Sequence, residues 1–317
     1  MGRYCWKVSK NKKITLSLLR KIKQRNIAII NDNKKYFAPK SVNELKKILR
    51  QEPNSKLISG GTDVSLIVTK ERKDLNSLIY MNSINELNYI RNNNKYIEVG
   101  ATTPLIEFEN YIQKYYTDFA NILKRYGSVQ IRNVGTIAGN IATASPIGDT
   151  LPILLSLDAK IVLRSAKKTK VIPINDFFID YRKTRLKKGQ FIDSIRIPLF
   201  PKNIFKAYKV SKRFDDDISS VCASFNLEVI NKKIKNIRIA YGGMASIPKR
   251  AKHCEKLLLR SPITEQVINK AQESLKKDFK PISDMRASAK YRMMVAKNLL
   301  HKCFLEVASN KLIRVYK

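Results

Sequence analysis

Between Ile14 and Arg25 the apolar residues Ile14, Leu18 and Ile22 fall at every fourth position among Arg20, Lys21, Lys23 and Arg25. That period predicts an amphipathic lead-in helix, with a partner-docking helix as the other reading. Tyr36-Phe37-Ala38 reads as a short strand stopped by Pro39, and Ser41-Val42-Asn43-Glu44 has the form of a capping box opening a helix towards Gln51. Lys56 to Ser59 is a second short strand, Gly60-Gly61-Thr62-Asp63 a tight turn, and Val64 to Val68 resumes the apolar run. Strand-like pieces follow at Ser77 to Met81, Tyr89 to Arg91 and Tyr96 to Gly100, then helices at Leu105 to Ile112 and Thr117 to Tyr126. From Gly127 to Asn140 small residues recur between apolar ones, which keeps side chains clear of something close by. Asp149 leads into a helix from Thr150 to Leu155. Ala159 to Arg164 with Lys170 to Pro173 predicts a hairpin, and Phe191 to Ile197 a strand.

Pro198 and Pro201 interrupt this pattern, so Pro198 to Asn203 is the predicted linker. Residues 1–34 are expected as a lead-in, 35–200 as one domain and 204–312 as another. Beyond the linker Phe205 to Lys209, Val221 to Ile230 and Ile234 to Tyr241 alternate with period two, and helices are predicted over Ile263 to Asp278 and Ser288 to Ser309. The class is therefore α+β: an α/β region followed by a three-stranded antiparallel sheet backed by helices.

With 317 residues, 44% of them hydrophobic, the chain has enough apolar material to bury a core, which argues against disorder despite 62 Lys+Arg against 26 Asp+Glu. A net charge of +36 would suit a nucleic acid or an anionic membrane. The lysines are spread over nearly every segment and form no stripe, so the charge reads as compositional background and no specific nucleic-acid partner is expected. Cys5, Cys222, Cys254 and Cys303 form no C-x-x-C pair, and there are two His, so no metal is expected on this chain. The start MGRYCWKVSKNKK lacks a signal-peptide apolar core, and no run approaches the roughly 18 apolar residues of a membrane span. A cytoplasmic chain with free thiols and no membrane contact is the expectation.

The candidate chemistry lies in the loops. Leu57-Ile58-Ser59-Gly60-Gly61-Thr62-Asp63-Val64 has the elements of a phosphate cradle: paired glycines let backbone N–H groups converge on an anion, and Ser59 and Thr62 add hydroxyls. It lacks both the G-x-G-x-x-G of a dinucleotide turn and the Gly-Lys-Ser/Thr of a P-loop, and a plain hairpin turn is the competing reading. Thr136 to Asn140 and Ala144 to Asp149 supply two further Gly-containing loops, so that two loops could hold the two ends of one extended cofactor.

These stretches carry a family resemblance. LISGGTDV, VGTIAGNIATASPIGD, FFIDYRKTRLKKGQFIDSIRIP, YKVSKRFDDDI and YGGMASIPKRA occur in that order. From about Tyr36 to about Leu305 the chain resembles the FAD-binding subunits of the molybdenum hydroxylases, the xanthine dehydrogenase and carbon monoxide dehydrogenase flavoprotein family. YRKT and the KRFDDDI segment lean towards the xanthine dehydrogenase branch. The resemblance implies a two-part FAD-binding α/β region of the vanillyl-alcohol oxidase (PCMH) type, followed by the α+β domain. It places Leu57, Ile58, Ser59, Gly60, Gly61, Thr62, Asp63 and Val64 around the FAD pyrophosphate. Tyr126 falls where the family has an aromatic near the cofactor, and Thr136, Gly139 and Asn140 lie on the second loop. Asp149 matches an acidic residue at the ribose and adenosine end, although a helix N-cap is an equally natural role for it. Ile192 and Lys209 match later cofactor contacts. Tyr181, and the charged loop containing Asp216, would border the flavin face where a nicotinamide enters; solvated surface is the other reading of that loop.

The function so implied is an electron relay. Electrons leave a purine or aldehyde-type substrate at a molybdopterin-bearing large subunit, cross 2Fe–2S clusters, reach FAD on this chain and leave to NAD. Small subunits of this type usually carry eight cluster cysteines near the N-terminus, whereas here Cys5 alone precedes Cys222. The clusters are then expected on a partner chain, or the first 35 or so residues are the remnant of a linker from a lost region. Two alternatives stay open: the flavoprotein of a carbon monoxide, aldehyde or nicotinate-type hydroxylase with another acceptor, and a basic binding protein on a degenerate flavin fold.

Overall fold

In the computed structural model, residues 12–23, 27–31, 33–309 and 311–313 are described; Cys5 and Arg25 lie outside them. Three layered units follow one another. The first contains α1 (Lys12–Lys23), β1 (Ile27–Asn31), β2 (Lys34–Ala38), α2 (Val42–Gln51), β3 (Lys56–Ile58), α3 (Ser65–Thr69) and β4 (Ser77–Tyr80), with a sheet in the order β1-β2-β4-β3. The cap of α2 forms as the sequence suggests: Ser41 Oγ accepts from the Glu44 N–H at 3.2 Å. The Glu44 carboxylate reaches back to the N–H of Lys40 at 2.7 Å. Val42, Leu45 and Leu49, on one face of α2, pack on Ile79, Met81, Ile84, Leu87 and Phe191. β3 pairs with β4 in parallel, and α3 lies between them in the chain, so the Gly-Gly turn is a strand-to-helix connection and not a hairpin. A two-residue hairpin cannot join parallel strands.

The second unit contains β5 (Ile90–Asn92), β6 (Tyr96–Gly100), α4 (Leu105–Ile112), α5 (Thr117–Lys124), α6 (Val129–Val134), α7 (Ile137–Thr143), α8 (Thr150–Ser156), β7 (Lys160–Ser165), β8 (Thr169–Pro173), β9 (Phe178–Asp180), β10 (Lys183–Thr184) and β11 (Gln190–Pro198). Its antiparallel sheet runs β5-β6-β11-β7-β8. The stretch from Gly127 to Asn140 forms two short helices, α6 and α7, capped by Ser128 and Thr136. Helix α8 is buried along its whole length; Leu151 to Leu155 are apolar all round, and the hydroxyls of Thr150 and Ser156 at its ends are hydrogen-bonded.

The third unit contains β12 (Ile204–Val210), β13 (Val221–Ile230), β14 (Lys233–Gly242), β15 (Lys249–Arg250), α9 (Lys252–Leu258), α10 (Glu265–Asp278) and α11 (Ala289–Ser309). The sheet has four strands rather than three, because Lys249 and Arg250 pair with Tyr241 and Ala240. Two residues are too short a run to show a period of two. Tyr241, Phe225 and Phe279 form edge-to-face contacts in this core. The second and third units share apolar surface, since Ala207, Cys222 and Ala240 belong to the core built on α4, α5 and α8. Among the described residues no helix is long and apolar enough to cross a membrane, and no cluster of His, Cys, Asp and Glu could hold a metal ion.

Candidate functional site

Two of the predicted loops meet through their backbones. A Cβ built on Gly60 would overlap the carbonyl of Val134, so the β3–α3 turn lies flat against the end of α6. Gly61, at φ +73°, turns the chain in the left-handed region that favours glycine. Among the described residues nothing accepts from the N–H groups of Gly60, Gly61, Thr62 and Asp63. Successive free N–H groups form an anion-binding concavity. Ser59 does not add a donor, because its hydroxyl bonds to Asn82 Oδ1. Asp63 lies at the far end of the turn, with Oδ2 3.4 Å from the Thr143 hydroxyl and Oδ1 3.8 Å from Arg182.

Leu57 and Ile58 supply strand β3, and Val64 is the N-cap residue of α3. On the second loop Thr136 Oγ1 accepts from the N–H of Gly139 at 3.0 Å, so both groups are engaged in capping α7. Asn140 links outward: its Nδ2 donates to the Tyr126 hydroxyl at 2.8 Å, and its Oδ1 accepts from Thr150 Oγ1 at 2.5 Å. Burial, with Asp149 and Asp63 close by, pushes the Tyr126 hydroxyl well above its ordinary range, so it stays neutral.

The N-cap reading of Asp149 fails. Its backbone is already helical, at φ −63° and ψ −29°, and its side chain makes no cap bond to α8. Both carboxylate oxygens point elsewhere: Oδ2 lies 2.7 Å from Lys209 Nζ, and Oδ1 accepts from the Ser219 hydroxyl at 2.5 Å. This ion pair is nearly dry, with side-chain exposures of 1% for Lys209 and 4% for Asp149. Lys209 also donates to the carbonyl of Arg125 at 3.2 Å. Ile192 is buried in β11 beside the irregular pairing with β7.

The charged loop is anchored by a residue the sequence reading did not single out. At the end of α5, Arg125 donates to the carbonyls of Phe214 and Lys209 and to Ser211 Oγ, at 2.8, 3.3 and 3.3 Å. Its guanidinium also lies 4.4 Å from the centroid of the exposed Phe214 ring. Arg125 directly precedes Tyr126, and that adjacency was the available signal. Within the loop Asp217 accepts from the N–H groups of Arg213 and Ile218, so it closes the turn, while Asp216 takes a positive φ of 49°. Tyr181 is 57% exposed on the β9–β10 turn, joined to the cradle through the neighbouring Arg182–Asp63 pair. A buried ion pair outside the predicted set, Arg132 to Glu109 at 3.1 Å, holds α6 from beneath.

This arrangement fits FAD. The turn, with two glycines and unpaired N–H groups from Gly60 to Asp63, suits a pyrophosphate, and the Tyr126–Asn140–Thr150 chain leads from the second loop to the buried Asp149–Lys209 pair. The described parts of these loops hold no His or Cys for a covalent flavin link, and Cys222 is buried with its thiol on the Asp149 carbonyl at 3.5 Å.

Comparison with known proteins agrees with this reading. Residues 30–200 match the model of the FAD binding domain in molybdopterin dehydrogenase, and residues 206–307 match the CO dehydrogenase flavoprotein C-terminal domain. The xanthine dehydrogenase of Emericella nidulans is 31% identical over 301 residues, covering 90% of this chain and 22% of that protein. This chain thus spans about a fifth of the length of the curated xanthine dehydrogenases it matches. The glyceraldehyde dehydrogenase medium chain of Sulfolobus acidocaldarius is 30% identical over 278 residues, covering 86% of this chain and 98% of that one. A carbon monoxide dehydrogenase structure from Hydrogenophaga pseudoflava superposes with a TM-score of 0.80 at 26% identity, covering 86% of this chain and 96% of that chain. With both domain models matched in order along a chain whose loops form the cradle, this protein belongs to the FAD-binding family of the molybdopterin dehydrogenases.

Proposed function

We propose that this chain is the FAD-carrying electron-transfer subunit of a xanthine dehydrogenase-like molybdenum hydroxylase, receiving electrons from 2Fe–2S clusters and reducing NAD. The observation that carries the reading is the contact of Gly60 with Val134, which sets free N–H groups beside the second loop at one end of a site whose other end is the Asp149–Lys209 pair. The chemistry FAD supplies when bound is uptake of electrons and release of hydride by its isoalloxazine ring. The chain's own part is to bind and orient: the turn from Leu57 to Val64 holds the anionic bridge, Tyr126, Thr136, Gly139 and Asn140 line the second loop, and Asp149, Ile192 and Lys209 complete the contacts. Lys209 brings a positive charge to the site, already balanced by Asp149. Tyr181 and Asp216 border the face that admits NAD.

The unit before the Pro198–Asn203 linker is the FAD-binding domain, residues 35–200, and residues 204–312 form the second domain. Molybdopterin and the 2Fe–2S clusters reside on partner chains, and the complex works in the cytoplasm. A second reading, a flavoprotein of another molybdenum hydroxylase with a different acceptor, is favoured by the 98% coverage of the glyceraldehyde dehydrogenase medium chain. The visible spectrum of the purified chain, followed by anaerobic addition of NADH, tests both. One flavin per chain, bleached by NADH, is expected. Flavin bleached by dithionite but not by NADH selects the second reading, and a colourless chain that takes up no added FAD leaves a basic binding protein.

A further inference from the structure

We infer that Ser219 is a positioning residue of the flavin site, acting through Asp149. The inference rests on the flavoprotein reading. Asp149 directly precedes α8, where a carboxylate ordinarily turns to accept from the first N–H groups of the helix. It does not do so here. The Lys209 ammonium takes Oδ2 and the Ser219 hydroxyl takes Oδ1, so that two donors from the third unit hold the carboxylate away from its own helix. Lys209 alone has a long side chain that can follow a rotating carboxylate. Ser219 has a single-carbon reach and therefore fixes where the oxygen must be.

The backbone beneath that hydroxyl is pinned. The N–H of Ser220 donates to the Val210 carbonyl at 2.8 Å, and the Ser220 carbonyl accepts from Arg292, a residue that also donates to Gly243 at 3.0 Å. Arg292 is 1% exposed and is itself held by Asp284 at 2.7 Å. The hydroxyl is thus delivered from a fixed point at the end of the charged loop. It orients the buried carboxylate, and through the carboxylate it orients the Lys209 ammonium.

Loss of the hydroxyl leaves Asp149 Oδ1 without its donor, so the carboxylate is free to turn about its contact with Lys209. The buried Lys209–Asp149 contact remains, so the apoprotein stays folded while the site loses the fixed orientation of its ion pair. Flavin titration of Ser219→Ala, Ser219→Thr, Asp149→Asn and the Ser219→Ala/Asp149→Asn double variant tests this, with thermal melts of each apoprotein. Ser219→Ala is expected to weaken FAD binding about tenfold or more. Ser219→Thr, which keeps the hydroxyl, is expected to restore binding, and Ser219→Ala is expected to add less than about twofold in the Asp149→Asn background. Wild-type affinity in Ser219→Ala, or an equal loss in both backgrounds, overturns the positioning role. If the extra methyl of threonine lowers the melting temperature, the double variant alone decides. Failure of the wild type to take up FAD would instead overturn the flavoprotein reading on which this one stands.

Discussion

The Lys209 ammonium lies 2.7 Å from Asp149 Oδ2, a contact between residues 60 positions apart that bridges the second and third units. Each side chain is almost fully desolvated, so each charge is compensated by the other rather than by water. Asp149→Ala or Lys209→Met leaves one buried charge unpaired and is expected to cost about 3–5 kcal/mol in the apoprotein. The double variant Asp149→Leu/Lys209→Met, which buries no charge, should regain most of that. Urea unfolding measures all three, and additive losses would show that the two groups do not depend on one another.

The two glycines of the cradle are expected to fail differently. Gly61 has room for a methyl group, the nearest atom being Ile58 Cδ1 at 3.4 Å, but its positive φ makes Gly61→Ala cost about 1–2 kcal/mol. Gly60→Ala drives a methyl into the Val134 backbone, forces the two loops apart, and is expected to abolish FAD binding. Flavin stoichiometry against unfolding free energy separates the two effects. Full flavin content in Gly60→Ala would place the cradle elsewhere.

Flavin is expected to be held without a covalent bond. Burial raises the Cys222 thiol well above its ordinary range, with the nearby Asp149 charge adding to the effect, so it offers no thiolate for attack. Acid precipitation should therefore release all the yellow colour into the supernatant. Colour retained in the pellet would identify a covalent link.

Asp118, on α5 against β12, provides a pH signature away from the flavin. Burial raises its carboxyl above the usual range, outweighing Lys206 and the N–H of Ala207, which lower it. Between the ordinary carboxylate value and the raised one, the folded chain holds a proton that the unfolded chain has released, so stability falls as pH rises through that window. Above the raised value the penalty is complete and constant. Asp118→Asn, which keeps an oxygen for the Ala207 N–H, should remove that part of the slope. Urea midpoints across the acid range for the two proteins check it, and identical slopes would refute it.

The sequence alone determined the elements whose pattern is local. The period-two run at Val221 to Ile230, the strand-like piece at Tyr96 to Gly100, the capping box at Ser41 and the ends of α10 and α11 near Asp278 and Ser309 all follow from side chains read within a few residues of each other. The order of the Gly-containing motifs likewise carried the family. Tertiary structure alone decided what those motifs do to one another. Gly60 looks like any turn glycine until Val134, 74 positions away, is placed against it, and β15 is invisible until Tyr241 offers an edge. Asp149 has the local chemistry of a helix cap, yet Lys209 and Ser219 claim it from another unit. The physical reason is the low dielectric of a packed interior: there a distant ammonium and hydroxyl outcompete the adjacent helix N–H groups, and no pattern within α8 or its flanks records that they are present.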